Sequence, residues 1–163
     1  MELQNTNQFK KIAIVADHRA EASKKFVIKA LTELGVDYVL PKYDDSPDND
    51  YPDLVVEAYK LYATKKVDGL ILMCGTGVGM MIAANKCKGI RCVLANDEAV
   101  AAFGRIHEDC NALGLAAGYS DDAYGYEVKA CKRKMQRIVK TFITTPFGGG
   151  RHARRVEKLN NIK

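Results

Sequence analysis

With 163 residues, 47% of them hydrophobic and 28% charged, the chain is long enough for one domain with a full core and has an ordinary globular composition. Five cysteines (Cys74, Cys87, Cys92, Cys110, Cys131) without C-x-x-C pairing argue for reduced thiols in a cytoplasmic protein, and against a disulfide framework or a zinc site. Lys and Arg exceed Asp and Glu by five, no apolar run is long enough to span a bilayer, and residues 1–10 lack the apolar region of a signal peptide.

Residues 1–10 read as a polar lead, expected to fray. Lys11 to Ala16 is a short apolar strand that ends on Asp17-His18. Phe26, Val27, Ala30, Leu31 and Leu34 then recur at helical spacing and stop at Gly35. Val36 to Leu40 predicts a second strand, and Pro41 to Pro52 a turn-rich loop. A helix carrying Leu54, Val55, Ala58, Leu61 and Tyr62 follows, with Pro52-Asp53 at its start. Leu70 to Met73 reads as a buried strand, and Met80 to Lys86 as the helix beyond the glycines. Ile90 to Ala95 is a strand, Asp97 to Ile106 a helix, and Ala112 to Ala116 a last strand of small residues. A long helix is expected next, capped by Ser120 or Asp121, with Val128, Cys131, Met135, Ile138, Val139 and Phe142 on its apolar face. Pro146 to Gly150 breaks it, and a terminal helix covers about 151–163. Strands alternating with helices predict an α/β fold with a parallel sheet covered on both faces.

The stretch Cys74-Gly-Thr-Gly-Val-Gly79 carries the chemistry. A strand that stops in a glycine-rich turn and opens a helix aims backbone N–H groups at one point, which favours an anion. Cys74 stands at the end of that strand, where its sulfur faces whatever the turn holds. A buried, inert cysteine in a tight turn is the plainer alternative. A dinucleotide fingerprint fits less well, since Met80 stands where the last glycine of G-x-G-x-x-G belongs.

Ligands of such sheets bind beyond the carboxyl ends of the strands. Asp17-His18, Tyr51, Cys74 and His107 are all expected there. Arg151 and Arg155 lie four apart on one helix face after three glycines, suited to a phosphate or else to a basic tail. The late basic residues from Lys129 to Lys140 read as a solvated helix face. No aromatics interleave them to stack bases, so nucleic acid is disfavoured. Together the parts suit proton abstraction beside a carbonyl: a cysteine base, amides for the enediolate oxygen, a histidine to move protons, and arginines for a distant phosphate. This chemistry calls for no metal and no cofactor.

Cys74-Gly-Thr-Gly-Val-Gly, Ala83-Ala84-Asn85-Lys86, Gly89-Ile90-Arg91, Asp17-His18, Tyr51-Pro52, His107 and Gly149-Gly150-Arg151-His152 resemble the signature of the ribose-5-phosphate isomerase B family (the ribose/galactose isomerases), in order along nearly the whole chain. The resemblance implies a Rossmann-like α/β/α sandwich with a five-stranded parallel sheet, and a single sugar-phosphate isomerase domain. It implies interconversion of ribose 5-phosphate and ribulose 5-phosphate in the pentose phosphate pathway. By position, it makes Cys74 the proton acceptor and His107 the ring-opening residue. Asp17, His18, Tyr51 and Glu108 become sugar contacts, Gly75, Thr76, Gly77, Val78 and Gly79 the anion cradle, and Arg151 with Arg155 the phosphate clamp. It further implies homodimers or tetramers with shared sites. The chain departs from the pattern at Glu108, at Gly118 in place of an arginine, and at Arg19-Ala20; Arg19 is expected to replace part of the missing cation. A six-carbon substrate (allose or galactose 6-phosphate) and a non-catalytic phosphometabolite module stay open as alternatives.

Overall fold

The computed structural model describes residues 6–43 and 50–162. The start of the polar lead and the middle of the 41–52 loop lie outside these residues. The first apolar run forms β1 (Lys11–Ala16), followed by a 3-10 turn (Glu21–Ser23) and α1 (Lys24–Leu34). Gly35, at φ 68°, ends α1 in the left-handed conformation that a side chain with Cβ resists. Next come β2 (Asp37–Val39) and α2 (Tyr51–Ala63), the latter opened by a reciprocal capping box between Asp50 and Asp53. Then follow β3 (Gly69–Cys74), α3 (Val78–Asn85), β4 (Cys92–Leu94), α4 (Glu98–Glu108) and β5 (Ala112–Ala116).

These five strands form one parallel sheet in the order β2-β1-β3-β5-β4. Because side chains alternate along a strand, β1 and β3 send every second residue to opposite faces. Ile12, Ile14, Ile71, Met73 and Leu113 pack under α1 and the later helices, whereas Ala13, Val15, Leu70, Leu72 and Cys74 pack under α2 and α3. All six residues of β3 are buried, so its apolar run is continuous rather than alternating. The result is a Rossmann-like α/β/α sandwich.

Beyond β5 the chain departs from expectation. Residues 119–128 form an antiparallel hairpin, β6 (Tyr119–Asp121) and β7 (Tyr126–Val128), with Tyr119 opposite Val128 and Asp121 opposite Tyr126. The helix begins only at α5 (Lys132–Thr144), with Cys131 as its N-cap, so Val128 and Cys131 do not belong to its apolar face. The reason is local. Tyr119 and Tyr126 favour strands, and Asp121-Asp122 with Gly125 at φ 70° favour a turn. Met135, Ile138, Val139 and Phe142 do line the buried face of α5, as the spacing predicts. α6 (Arg151–Asn160) closes the fold.

The lead is docked where it is described, not frayed. Phe9 is buried and stacks on Phe142 with ring centroids 5.2 Å apart, and the Gln8 N–H donates to the Ile143 carbonyl.

Candidate active site

Cys74 ends β3 and is buried, yet its sulfur is turned toward the glycine loop: the Gly77 N–H donates to Cys74 Sγ at 3.1 Å. Gly77 is at φ 78°, and a Cβ there would lie 2.9 Å from the Leu115 carbonyl carbon. Only glycine can make this turn so close to β5. α3 starts one residue later. The Val78 N–H donates to Thr76 Oγ1, and the Met81 N–H is the first to reach a helical carbonyl, that of Gly77. The N–H groups of Gly79 and Met80 therefore have no acceptor within the helix and face its open end. A Cβ on Gly79 would come 2.6 Å from the Tyr51 ring, so the first residue of α2 lies against the cradle.

Asp17 follows β1 on the same side of the sheet, its N–H bonded to the Met73 carbonyl. Its Oδ1 accepts from the N–H groups of Arg19 and Ala20, which fixes the bend between β1 and the short 3-10 turn; His18 beside it is exposed. Arg19 lies 4.5 Å over the Tyr119 ring, next to Gly75. Asp17, His18, Tyr51, Cys74 and residues 75–79 thus gather at the carboxyl ends of the strands, as predicted.

His107 does not join them. It occupies the last turn of α4, inside the helix rather than beyond it. α4 runs back antiparallel to the strands, so the nine helical steps from Glu98 to His107 carry the histidine about 14 Å away from the cradle end. It lies near Ala112, at the amino end of β5. The cause is topological: in a β-α-β unit the end of a helix returns to the start of the next strand.

His107 finds different company there. The Gly148 N–H donates to the Ile106 carbonyl, and this docks the start of α6 on the end of α4. The His107 and His152 rings stack with centroids 4.5 Å apart, and the Phe103 ring packs against His107 at 5.0 Å, tilted by 31°. His152 is buried with its Nδ1 unpartnered among the described residues; burial, His107 and the adjoining arginines push its pKa below the usual histidine value. Neither Phe103 nor His152 belongs to the predicted site, although the i, i+4 spacing of Phe103 and His107 is legible in the chain. Glu108, Arg151 and Arg155 are exposed around this pair.

The end of α4 is held firmly. Arg91 donates to the Glu108 and Asp109 carbonyls and to Asn160 Oδ1. Arg105, buried beside the stacked Phe9 and Phe142 rings, bonds Asp109 and the Cys110 and Thr145 carbonyls.

The sequence profile described as Ribose/Galactose Isomerase matches residues 12–159. The chain belongs to this family. Ribose-5-phosphate isomerase B of Escherichia coli is 36% identical to it over 154 residues, covering 94% of this chain and 97% of the relative. The ribose 5-phosphate isomerase of Thermotoga maritima superimposes with a TM-score of 0.80 at 34% identity, over 93% of this chain and 98% of that one. The type B enzyme of Trypanosoma brucei gives 0.78 at 31% identity, over 93% and 97%. In this ribose/galactose isomerase the five cysteines are free thiols, and among the described residues no cluster of His, Cys, Asp or Glu could hold a metal ion. No helix among them is long and apolar enough to cross a membrane.

Proposed function

We propose that the chain interconverts ribose 5-phosphate and ribulose 5-phosphate through an enediolate, with Cys74 as the base, in a site completed by a second copy of the chain. The observation that carries this reading is the Cys74 sulfur, aimed at an amide at the opening of α3. A thiolate there reaches a carbon-bound proton while the first-turn N–H groups take up the negative charge that develops on the neighbouring oxygen. Each such donor is worth about 3 kcal/mol in the transition state.

The reaction needs only proton transfers. A histidine opens the furanose ring by moving a proton between the ring oxygen and the C1 hydroxyl. Cys74 then takes the proton from C2 and returns it to C1, while the proton of the C2 hydroxyl passes to O1. Arg151 and Arg155, one turn apart, grip the phosphate at the far end of the sugar. His107 and the arginines lie at the opposite end of the sheet from Cys74 in one chain, so the two halves meet only between subunits. In a two-fold dimer each cradle faces the partner's histidine end, and two equivalent sites form. The sugar-phosphate reading also accounts for the basic balance without invoking nucleic acid.

Ketose formation from ribose 5-phosphate, with allose 6-phosphate as comparator, tests the reaction. Cys74→Ala and His107→Ala are each expected to be inactive on the cyclic sugar. When the two variants are unfolded together and refolded, half the dimers are mixed and each holds one intact site, so about a quarter of wild-type activity returns. A mixture that stays inactive would place both residues in the same chain's site and overturn the shared arrangement.

A further inference from the structure

Within its own chain the hairpin Tyr119–Val128 contributes Tyr119, whose ring lies under Arg19 next to Gly75, while its outer half is exposed. It leaves the sheet directly after β5. The Ala117 N–H donates to the Cys74 carbonyl and the Gly118 N–H to the Gly75 carbonyl, so its root is tied to the cysteine–glycine turn itself. Its outer half carries two of the most exposed large apolar residues, Tyr124 at 77% and Tyr126 at 80%. Its only charged residues are Asp121, Asp122 and Glu127. Three acids and exposed tyrosine rings thus stand at the rim of the cradle.

Beside them lies a recess of about 440 Å³, lined by Thr76, Tyr119, Asp121, Tyr124, Tyr126 and Glu127 among others. The tyrosine rings that wall this mainly apolar recess suit a guanidinium or an ammonium group by cation–π contact, and the exposed carboxylates of Asp122 and Glu127 on the same hairpin add charge pairing at its edge. Because Thr76 belongs to the cradle, whatever sits in the recess sits next to the substrate's anion site.

The other end of the molecule offers the complement. α6 carries Arg151, Arg154, Arg155 and Lys158 against a single acid, Glu157, and all five are exposed. Arg151 and Arg155 share one face of the helix. Arg154 and Lys158 share the adjacent face, turned by about 60°. Phe103 on α4 (55% exposed) and Leu159 (43%) add apolar surface nearby. One end has three acids on an aromatic arm, with Lys129 at its foot 3.6 Å from Glu127; the other has a net three positive charges on a helix with apolar flanks.

We infer that the β6–β7 hairpin is a clasp for α6 of a second copy of this chain, taking Arg154 and Lys158 while it presents Arg151 and Arg155 to the cradle. This rests on the reading of a site shared between subunits and adds to it the element that holds the halves together. In a two-fold dimer the clasp occurs twice, once beside each site. It is an electrostatic contact around an aromatic centre, so its strength falls with added salt.

Two charge-reversed variants test it. One carries Asp122→Lys and Glu127→Lys, the other Arg154→Glu and Lys158→Glu; all four side chains are exposed, and none is assigned to the substrate site. Each variant alone sets like charge against like at both clasps, and its dimerisation at low salt, measured by analytical ultracentrifugation, is expected to weaken at least tenfold. Mixed at equal amounts, they set opposite charges at both clasps and return to the wild-type dimer affinity. Tyr124→Ser with Tyr126→Ser weakens dimerisation in salt-independent fashion. If either reversed variant dimerises like wild type, or the mixture stays monomeric, the clasp is overturned. The Cys74→Ala and His107→Ala mixing experiment in the otherwise unaltered chain separates the two ideas. Activity regained there, with dimerisation insensitive to the hairpin charges, leaves the shared site standing and removes the clasp. No regained activity removes the shared site and the clasp with it.

Discussion

The two ends of the sheet are built in different ways. The carboxyl end, around Cys74, is dominated by one contiguous stretch in which strand, turn and helix follow within seventeen residues, Gly69 to Asn85. The amino end, around His107, is assembled from the last turn of α4, the loop before α6 and the Arg91 side chain, which meet only by packing. A locally built site tolerates little change in any one residue but owes little to distant ones. A site built by packing spreads its dependence across the fold, and its chemistry responds to what surrounds it.

The largest test of this contrast is catalytic. Cys74→Ala should lower turnover of the open-chain aldose and of the cyclic sugar alike, by roughly 10²–10⁴-fold. His107→Ala should reduce turnover of the cyclic sugar far more, because ring opening precedes proton abstraction. Equal losses on both forms for both variants would erase the distinction between the ends.

Backbone strain gives the next largest effect. Gly77→Ala forces a Cβ into the left-handed region and against the Leu115 backbone, and it should cost about 3 kcal/mol in denaturant unfolding. Gly149→Ala, at φ 61° beside the histidine end, has open space around it and should cost only about 1 kcal/mol. Similar losses at the two positions would mean that the cradle is no tighter than the loop.

Acid sharpens the comparison further. The pKa of His152 is held below the ordinary value of 6.5, so the unfolded chain binds that proton more readily than the folded one. Its contribution to stability is full above about pH 6.5 and is lost as pH falls below it. His152→Gln should flatten the melting temperature between pH 7 and 5. Glu33 behaves alike in a lower window. Lys140 and Lys29 lower its pKa to about 2, so the ties it makes from α1 are kept above about pH 4.5 and lost on the way down to 2. Glu33→Gln should lower the melting temperature above about pH 4.5 and flatten the curve between 4.5 and 2.

The smallest test uses thiols. The backbone N–H groups of Lys134 and Arg133 lower the pKa of Cys131, which is exposed near the cradle end. Burial raises Cys110 to about 11 and Cys92 to about 12. In a Cys74→Ala background, iodoacetamide near neutral pH should label Cys131 first and leave Cys92 and Cys110 unmodified until the chain unfolds, as peptide mapping would show.

The cradle was legible in the sequence because its conformation is set by neighbours along the chain. An apolar run needs a buried strand, alternate glycines need a turn without Cβ atoms, and the helix that follows supplies the amides. The five-stranded sheet was legible for the same reason, since each strand and helix carries its own period. The hairpin was misread as helix because Val128 and Cys131 continue the spacing of Met135 and Ile138, and period alone does not weigh Tyr119, Tyr126 and Gly125 against it. The place of His107 was not readable either. The sequence reading ends the helix at Ile106 and sets His107 beyond it with the carboxyl-end residues, whereas α4 includes His107 and returns it, in the parallel sheet, to the far side from Cys74. The stack on His152 depends on the loop of Gly148 docking to Ile106, a contact between segments some forty residues apart that no local preference encodes. Sequence determined the parts, because short-range sterics and hydrogen bonding set each element; the tertiary structure decided which parts share a chain's end, because only packing brings distant segments together.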